Sequence, residues 1–207
     1  MQKDRIDIIS LGCSKNLIDS ERLIRRLEAK GYDAVHNSSD VRGEYVMVNT
    51  CGFIGDAKEE SINMLLRLTV LKEAGIIGRI AVMGCLSQRY MDELRESIPE
   101  IDFFYGKFDW DAFIGELPDR RKSAGKPRDW ERHITTPPHS AYLKISEGCN
   151  RFCAFCAIPL ITGRHHCRPI EEIVEEVRSL VAGGVREFNI IAQDLSSYGL
   201  DIYGRHA

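Results

Sequence analysis

Glu147-Gly148-Cys149-Asn150-Arg151-Phe152-Cys153-Ala154-Phe155-Cys156 places three thiols in a C-x3-C-x2-C run. A loop this short can turn three sulfurs toward one point, but it holds no fourth. Iron–sulfur clusters are usually completed by four cysteines, so three suggest a cluster with one iron left open. An open metal position is where substrates or cofactors bind. A zinc knuckle, or three unrelated buried thiols, are the other readings of the loop taken alone. Zinc sites more often combine C-x2-C pairs with histidine or with a second pair.

The flanks of the loop read as βα units. Ala141 to Ile145 predicts a strand leading into it. Arg168-Pro169 then opens a helix, with proline suited to the first turn. Ile170, Ile173, Val174, Val177, Leu180 and Val181 recur at three- and four-residue intervals, and Gly183-Gly184 end the pattern. Glu187 to Ala192 predicts the next strand, and Gln193-Asp194 fall at its C-terminal end, where βα-barrels build their active sites. Two strands and one helix cannot close a barrel, and an open parallel edge is a poor terminus for a soluble domain. Residues 139–207 are therefore expected to be the first, incomplete part of a barrel, and the chain a fragment.

Residues 1–117 alternate strands and helices in the same way. Strands are expected at Ile6 to Leu11, Tyr45 to Val48 and Arg79 to Met83. Helices are expected over Asn16 to Lys30, from Asp56 to about Leu71, and near Gln88 to Ser97. Asp56 with Glu59 three residues later matches a capping box; Asn16 and Asp19 read as caps of the first helix. Helices of this length between strands imply βαβ units and a parallel, Rossmann-like sheet. Cys13, Cys51 and Cys85 each follow the end of a predicted strand, and each has glycine beside it. In a parallel sheet all strand C-termini lie on one edge, where ligands bind. Thiols far apart in sequence can thus converge, with following helix N-termini favouring negative charge there. Coincidental core thiols are the alternative.

Residues 118–138 carry four prolines and no clear periodicity, and they read as a linker. Arg120, Arg121, Lys122, Lys126, Arg128 and Arg132 make it locally basic, so a nucleic-acid contact is conceivable, but a solvated connector fits better without aromatic interleaving. The whole chain is 207 residues, 43% hydrophobic and 29% charged with net charge -3, an ordinary globular balance that demands no polyanionic partner. No leader pattern opens it and no apolar run reaches membrane-spanning length. A cytoplasmic location is expected, where thiols stay reduced, so seven cysteines read as metal-binding or catalytic rather than as disulfides.

C-x3-C-x2-C with Phe155 before the last cysteine resembles the radical S-adenosylmethionine signature. Leu11-Gly12-Cys13-Ser14-Lys15-Asn16 continuing to Asp19-Ser20-Glu21, Asn49-Thr50-Cys51-Gly52-Phe53, and Ala192-Gln193-Asp194 followed by Tyr198-Gly199 narrow it. Together these look like the methylthiotransferase family, in the forms of its RimO branch, which modifies an aspartate of a small-subunit ribosomal protein. The MiaB branch, which modifies tRNA adenosine, usually reads G-C-Q-M-N at the first motif. The resemblance implies that Cys149, Cys153 and Cys156 hold a 4Fe–4S cluster that chelates S-adenosylmethionine and, given an electron from an external donor, cleaves it to a 5′-deoxyadenosyl radical. It implies that Cys13, Cys51 and Cys85 hold a second 4Fe–4S cluster that presents sulfur to the β-carbon of the aspartate, and that a second S-adenosylmethionine supplies the methyl group. Phe155 beside the adenine and Gln193 on the cofactor are further expectations. The sequence departs from the family at Thr162, where relatives usually have arginine, and at Cys167, where they usually have serine. Cys167 beside His165 and His166 reads as a free thiol next to two solvated histidines, or as a further metal ligand. The rival functions are tRNA methylthiolation and a non-catalytic iron–sulfur carrier or scaffold.

Overall fold

The computed structural model describes residues 1–120 and 125–206. They form two compact units, Met1–Arg132 and His133–Ala207. Arg121 and Lys122 of the basic stretch lie outside the described residues.

The first unit is a five-stranded, wholly parallel sheet. Its strands are β1 (Gln2–Ser10), β2 (Asp33–His36), β3 (Gly43–Thr50), β4 (Arg79–Gly84) and β5 (Phe103–Phe104), in the order β2-β1-β3-β4-β5. Between them run α1 (Ser14–Ala29), α2 (Gly55–Glu73) and α3 (Cys85–Ser97), and α4 (Trp110–Glu116) follows the last strand. Side chains alternate across a strand, and here both sets are apolar. Ile6, Ile8, Met47, Ala81 and Met83 pack with Leu23, Ile24 and Leu27 of α1 and Phe113 of α4. Ile9, Val46, Val48, Ile80 and Val82 pack on the other face with Leu65 and Leu68 of α2 and Leu86 and Leu94 of α3. A sheet buried on both faces is the environment in which parallel strands occur. The strand order reverses between β1 and β3, and such a switch point opens a crevice beyond the strand C-termini.

The expected strands and helices of this unit are all present, most of them a few residues longer. Sequence reading missed β2, β5 and α4. Two capping expectations are corrected. The residue before α1 is Cys13 and the residue before α2 is Ile54, and neither helix has a side-chain cap. Asn16 and Asp19 are instead buried. The proline-rich stretch also departs from a solvated connector. Arg132 pairs with Glu21 at 2.5 Å with both side chains 1% exposed, and Asp129 pairs with Arg26 at 2.7 Å. Arg120 pairs with Asp4 and Glu44. Arg132 is thereby buried and Arg120 largely covered, while Asp129 stays exposed, and the two arginine pairings neutralise basic charge that a nucleic-acid surface would need.

The second unit contains β6 (Ser140–Lys144), β7 (Ser146–Glu147), α5 (Ile158–Thr162), β8 (His166–Cys167), α6 (Ile170–Ala182), β9 (Glu187–Ile191), a 3-10 turn at Leu195–Ser197 and α7 (Leu200–Tyr203). β6 and β9 pair in parallel through the crossover helix α6, while β7 and β8 form a short antiparallel ribbon. Inside α6, Glu176 is buried and accepts a 2.6 Å hydrogen bond from Arg168 Nη1. Val174, Val181 and, on β9, Ile190 remain exposed. No helix among the described residues is long and apolar enough to cross a membrane.

Candidate metal centres

The structure brings Cys13, Cys51 and Cys85 to one edge of the first sheet. Cys13 lies between β1 and α1, Cys51 directly follows β3, and Cys85 is the first residue of α3 after β4. β1, β3 and β4 are neighbours, so the three thiols stand at the C-terminal ends of adjacent strands, astride the switch point. Their approach depends on Gly12. Its φ is +87°, and a Cβ there would come within 2.6 Å of Cys51 Cβ and 2.8 Å of Cys51 Sγ. Asn16, fully buried, ties the strand ends together. Its Nδ2 donates to Leu11 O and to Thr50 O, each at 3.1 Å. Its Oδ1 lies 3.8 Å from Cys85 Sγ and accepts from Lys107 Nζ at 3.3 Å. Lys107 Nζ also pairs with Asp19 Oδ2 at 3.1 Å, with both side chains buried.

Burial pushes the Cys85 thiol up to about 11; Lys107 opposes that, and the Cys51 and Cys13 thiols add to the rise. Cys51 and Cys13 are therefore close enough to resist the ionisation of Cys85. Metal binding requires thiolates, and a bound metal supplies the charge that lets them ionise. This donor set fits a metal cluster. The triad is not among the groups of donor atoms that converge within 4.8 Å among the described residues. A cluster spreads its thiolates over several irons and needs no such convergence.

Cys149, Cys153 and Cys156 occupy the loop between β7 and α5. Gly148 opens the loop at φ +76°, and a Cβ there would meet Arg164 O at 2.1 Å. Cys149 is buried; its amide donates to Gly163 O at 3.2 Å, and its Sγ accepts from Arg151 N at 3.4 Å. Cys156 N donates to Cys153 O at 3.0 Å, which closes a turn between the last two cysteines. Cys153 is exposed and Cys156 half-buried. Phe152 adopts a left-handed φ of 47°. Phe155 makes no packed contact with the loop, since its side chain is fully exposed.

Gln193 follows β9, and its Nε2 donates to Glu147 Oε1 of β7. Glu147 is held in turn by Lys144 Nζ at 2.7 Å. Gln193 Oε1 is buried with no hydrogen-bond partner among the described residues, which leaves an acceptor beside the start of the loop. Arg151 Nε pairs with Asp194 Oδ2 at 2.9 Å. Hydrogen bonds from Arg151, Ser196 and Ser197 hold the Asp194 carboxyl well below the usual carboxylate range. Thr162 is buried, and its Oγ1 donates back to Ile158 O at 3.0 Å within α5. It offers no substitute for the arginine expected at that position.

The expectation of two solvated histidines beside Cys167 is corrected. His166 is exposed, but His165 is buried and its Nε2 lies 3.2 Å from Cys167 Sγ. Burial, then a hydrogen bond with Asp201, pushes the Cys167 thiol up to about 11. Sequence reasoning also missed Lys107, which lies three residues beyond the short β5 on the same edge as the cysteines.

Residues 5–106 match the model of a family described as uncharacterized protein family UPF0004. The chain is 56% identical over 204 residues to a ribosomal protein uS12 methylthiotransferase RimO of Porphyromonas gingivalis, covering 99% of this chain and 46% of that protein. A protein of the same name from Bacteroides fragilis is 58% identical over 203 residues, covering 98% of this chain and 46% of the relative. The chain thus spans just under half the length of these curated relatives. In fold it is similar to the cobalamin-dependent S-adenosylmethionine radical enzyme OxsB, with TM-score 0.60, 12% identity, and 93% and 34% of the two chains covered. It is also similar to the radical S-adenosylmethionine methyltransferase TsrM from Kitasatospora setae, with TM-score 0.59, 14% identity, and 96% and 49% covered.

Proposed function

We infer the function from one premise: the chain belongs to the radical S-adenosylmethionine methylthiotransferase family, RimO type. On that premise we propose that the protein adds a methylthio group to the β-carbon of an aspartate in ribosomal protein uS12. The observation that carries the reading is the pair of cysteine triads, one at a sheet switch point and one in the connection from β6 to the crossover helix α6 of a parallel βαβ unit. Bound by these triads, two 4Fe–4S clusters with S-adenosylmethionine would supply the radical and sulfur chemistry that an unactivated C–H bond demands and side chains lack.

The chain's own residues have definable tasks in this scheme. Cys149, Cys153 and Cys156 hold one cluster, and the three-thiol set leaves a coordination position for the cofactor. Gly148 lets the loop leave β7 against Arg164 without a clash. Gln193 Oε1, the buried acceptor, can accept a hydrogen bond from the cofactor, and Phe155 offers an aromatic face for its adenine. Cys13, Cys51 and Cys85 hold the second cluster. Asn16 fixes the spacing of the strand ends beneath it, and Lys107 places a buried positive charge against an anionic thiolate set. The electron comes from an external one-electron donor.

The test has two arms. Anaerobic reconstitution followed by iron counting and Mössbauer spectroscopy is expected to give about eight irons per chain, falling to about four when either triad is changed to alanine. Mass spectrometry of uS12 from cells lacking the gene is expected to find the aspartate unmodified while tRNA nucleosides stay normal. Loss of a methylthiolated adenosine instead would transfer the assignment to tRNA.

A further inference from the structure

The one thiol outside both triads sits in a third constellation. Cys167 Sγ, a ring nitrogen of His165 and a carboxylate oxygen of Asp201 all lie within 4.8 Å of one another, the first two residues buried and the third exposed. We propose that His165, Cys167 and Asp201 form a mononuclear site for a borderline-soft divalent transition-metal ion of the Zn2+ type.

The donor chemistry selects the ion. Thiolate and imidazole suit zinc or cobalt and disfavour magnesium or calcium, which take oxygen ligands. One sulfur, one nitrogen and one oxygen leave a fourth tetrahedral position, and the exposed Asp201 side opens it to water. The contacts around the ligands are those such a site needs. Metal-binding histidines usually anchor their second ring nitrogen on a carbonyl or carboxylate. His165 Nδ1 lies 3.4 Å from Gly148 O, which leaves Nε2 directed at Cys167 Sγ, 3.2 Å away. The His165 amide donates to Asn150 Oδ1 at 3.1 Å, which fixes the backbone. Gly199 N donates to Cys167 Sγ at 3.2 Å, a contact that favours a thiolate. Asp201 Oδ2 already accepts from Cys167 N at 2.8 Å, which holds the carboxylate beside the sulfur. Binding releases the Cys167 thiol proton to solvent and exchanges no electron.

The site would have a positioning role. It joins β8 to α7, and through His165 it braces Gly148, the residue before Cys149. It is separate from the six cysteines of the proposed clusters and does not depend on the methylthiotransferase reading.

The test uses the full 207-residue chain, stripped of metal under anaerobic conditions. Zn2+ titration in competition with a chelating dye is run on the wild type, Cys167→Ser, His165→Asn and Asp201→Asn. Both triads can also take up zinc, so the readout is the difference between variants. The wild type is expected to bind one tight equivalent more than Cys167→Ser or His165→Asn. Asp201→Asn keeps a backbone acceptor and is exposed, so it should fold; its last equivalent is expected to bind at least tenfold more weakly. With Co2+ as probe, the wild-type-minus-Cys167→Ser spectrum should show thiolate-to-cobalt charge transfer and tetrahedral ligand-field bands. Equal zinc stoichiometry and affinity in the wild type and Asp201→Asn, with a flat cobalt difference spectrum, would leave only a thiol–imidazole hydrogen bond and overturn the proposal.

Discussion

Replacing Gly12 with alanine probes the closest approach in the first metal centre. Gly12 has φ +87°, and the added Cβ would sit 2.6 Å from Cys51 Cβ and 2.8 Å from Cys51 Sγ. Left-handed backbone costs a non-glycine residue about 1–2 kcal/mol. Forcing an extra carbon into a packed site costs about 1–3 kcal/mol more. The sum, about 2–5 kcal/mol, is a large part of the ~5–15 kcal/mol that holds a typical domain folded. Urea unfolding followed by circular dichroism should report that loss. Relief of the clash must shift Cys51 or the Gly12–Cys13 turn and so disturb the triad, and reconstituted iron should also fall by about one cluster, with the loop triad unaffected. Gly55→Ala is the control: it begins α2, and beyond its chain neighbours and helix backbone no atom of the described residues lies within 4 Å of its added Cβ. It should be neutral or slightly stabilising. A Gly12→Ala chain within ~0.5 kcal/mol of wild type and with full iron would refute the claim that this glycine sets the spacing of the triad.

The metal-free chain should lose stability as pH rises from about 9 toward 11. The folded state raises the Cys85 thiol from 9.0 to about 11, so in that window the unfolded chain has released a proton that the folded chain retains. The loss is about 2–3 kcal/mol, read from unfolding midpoints against pH, and Cys85→Ser should remove it. Lys107→Met removes the cation that opposes this rise, so mass-resolved alkylation of Cys85 should need still higher pH. Arg132→Ala takes a buried partner from Glu21 and should cost about 3–5 kcal/mol, with a double-mutant cycle against Glu21→Ala isolating the coupling. Gln193→Ala should weaken S-adenosylmethionine binding to the cluster-loaded chain about tenfold by calorimetry, because it deletes a buried acceptor.

Much of the first unit could be read from the sequence because its strands are buried on both faces. Continuous apolar runs such as Val46 to Val48 and Ile80 to Met83 have one plausible setting between helices, and Gly-Cys pairs at their ends then share an edge by topology alone. The missed elements lack that signal. β5 has two residues, and β2 is a short edge strand with one exposed and three half-buried residues. Asn16 and Asp19 were misplaced for an instructive reason. Short polar residues near a helix start usually serve its free amides, but here α1 begins at the crowded edge and these side chains turn inward to Leu11, Thr50 and Lys107. Lys107 has no periodic signal, and its importance arises from burial against Asp19. His165 and Cys167, by contrast, were separable from His166. Residues two apart on an extended segment share a face, so a strand through Cys167 puts His165 with the thiol and His166 on the opposite side.

The polar floor under the first triad gives that centre its logic. Ionising Cys85 at this sheet edge is opposed first by its burial and then by the charge of Cys51 and Cys13 beside it. The fold supplies three partial answers. Cys13 immediately precedes α1 and Cys85 begins α3, so both sit where a helix dipole favours negative charge. Lys107 adds a full positive charge, but Asp19 takes up part of it. A cationic iron centre would supply the further charge that three thiolates call for. Its binding should then add to folding stability by mass action. Loading the first triad is therefore expected to raise the unfolding midpoint of the chain and to abolish the alkaline loss assigned to Cys85. Both effects should vanish together in Cys51→Ala, because they have one cause.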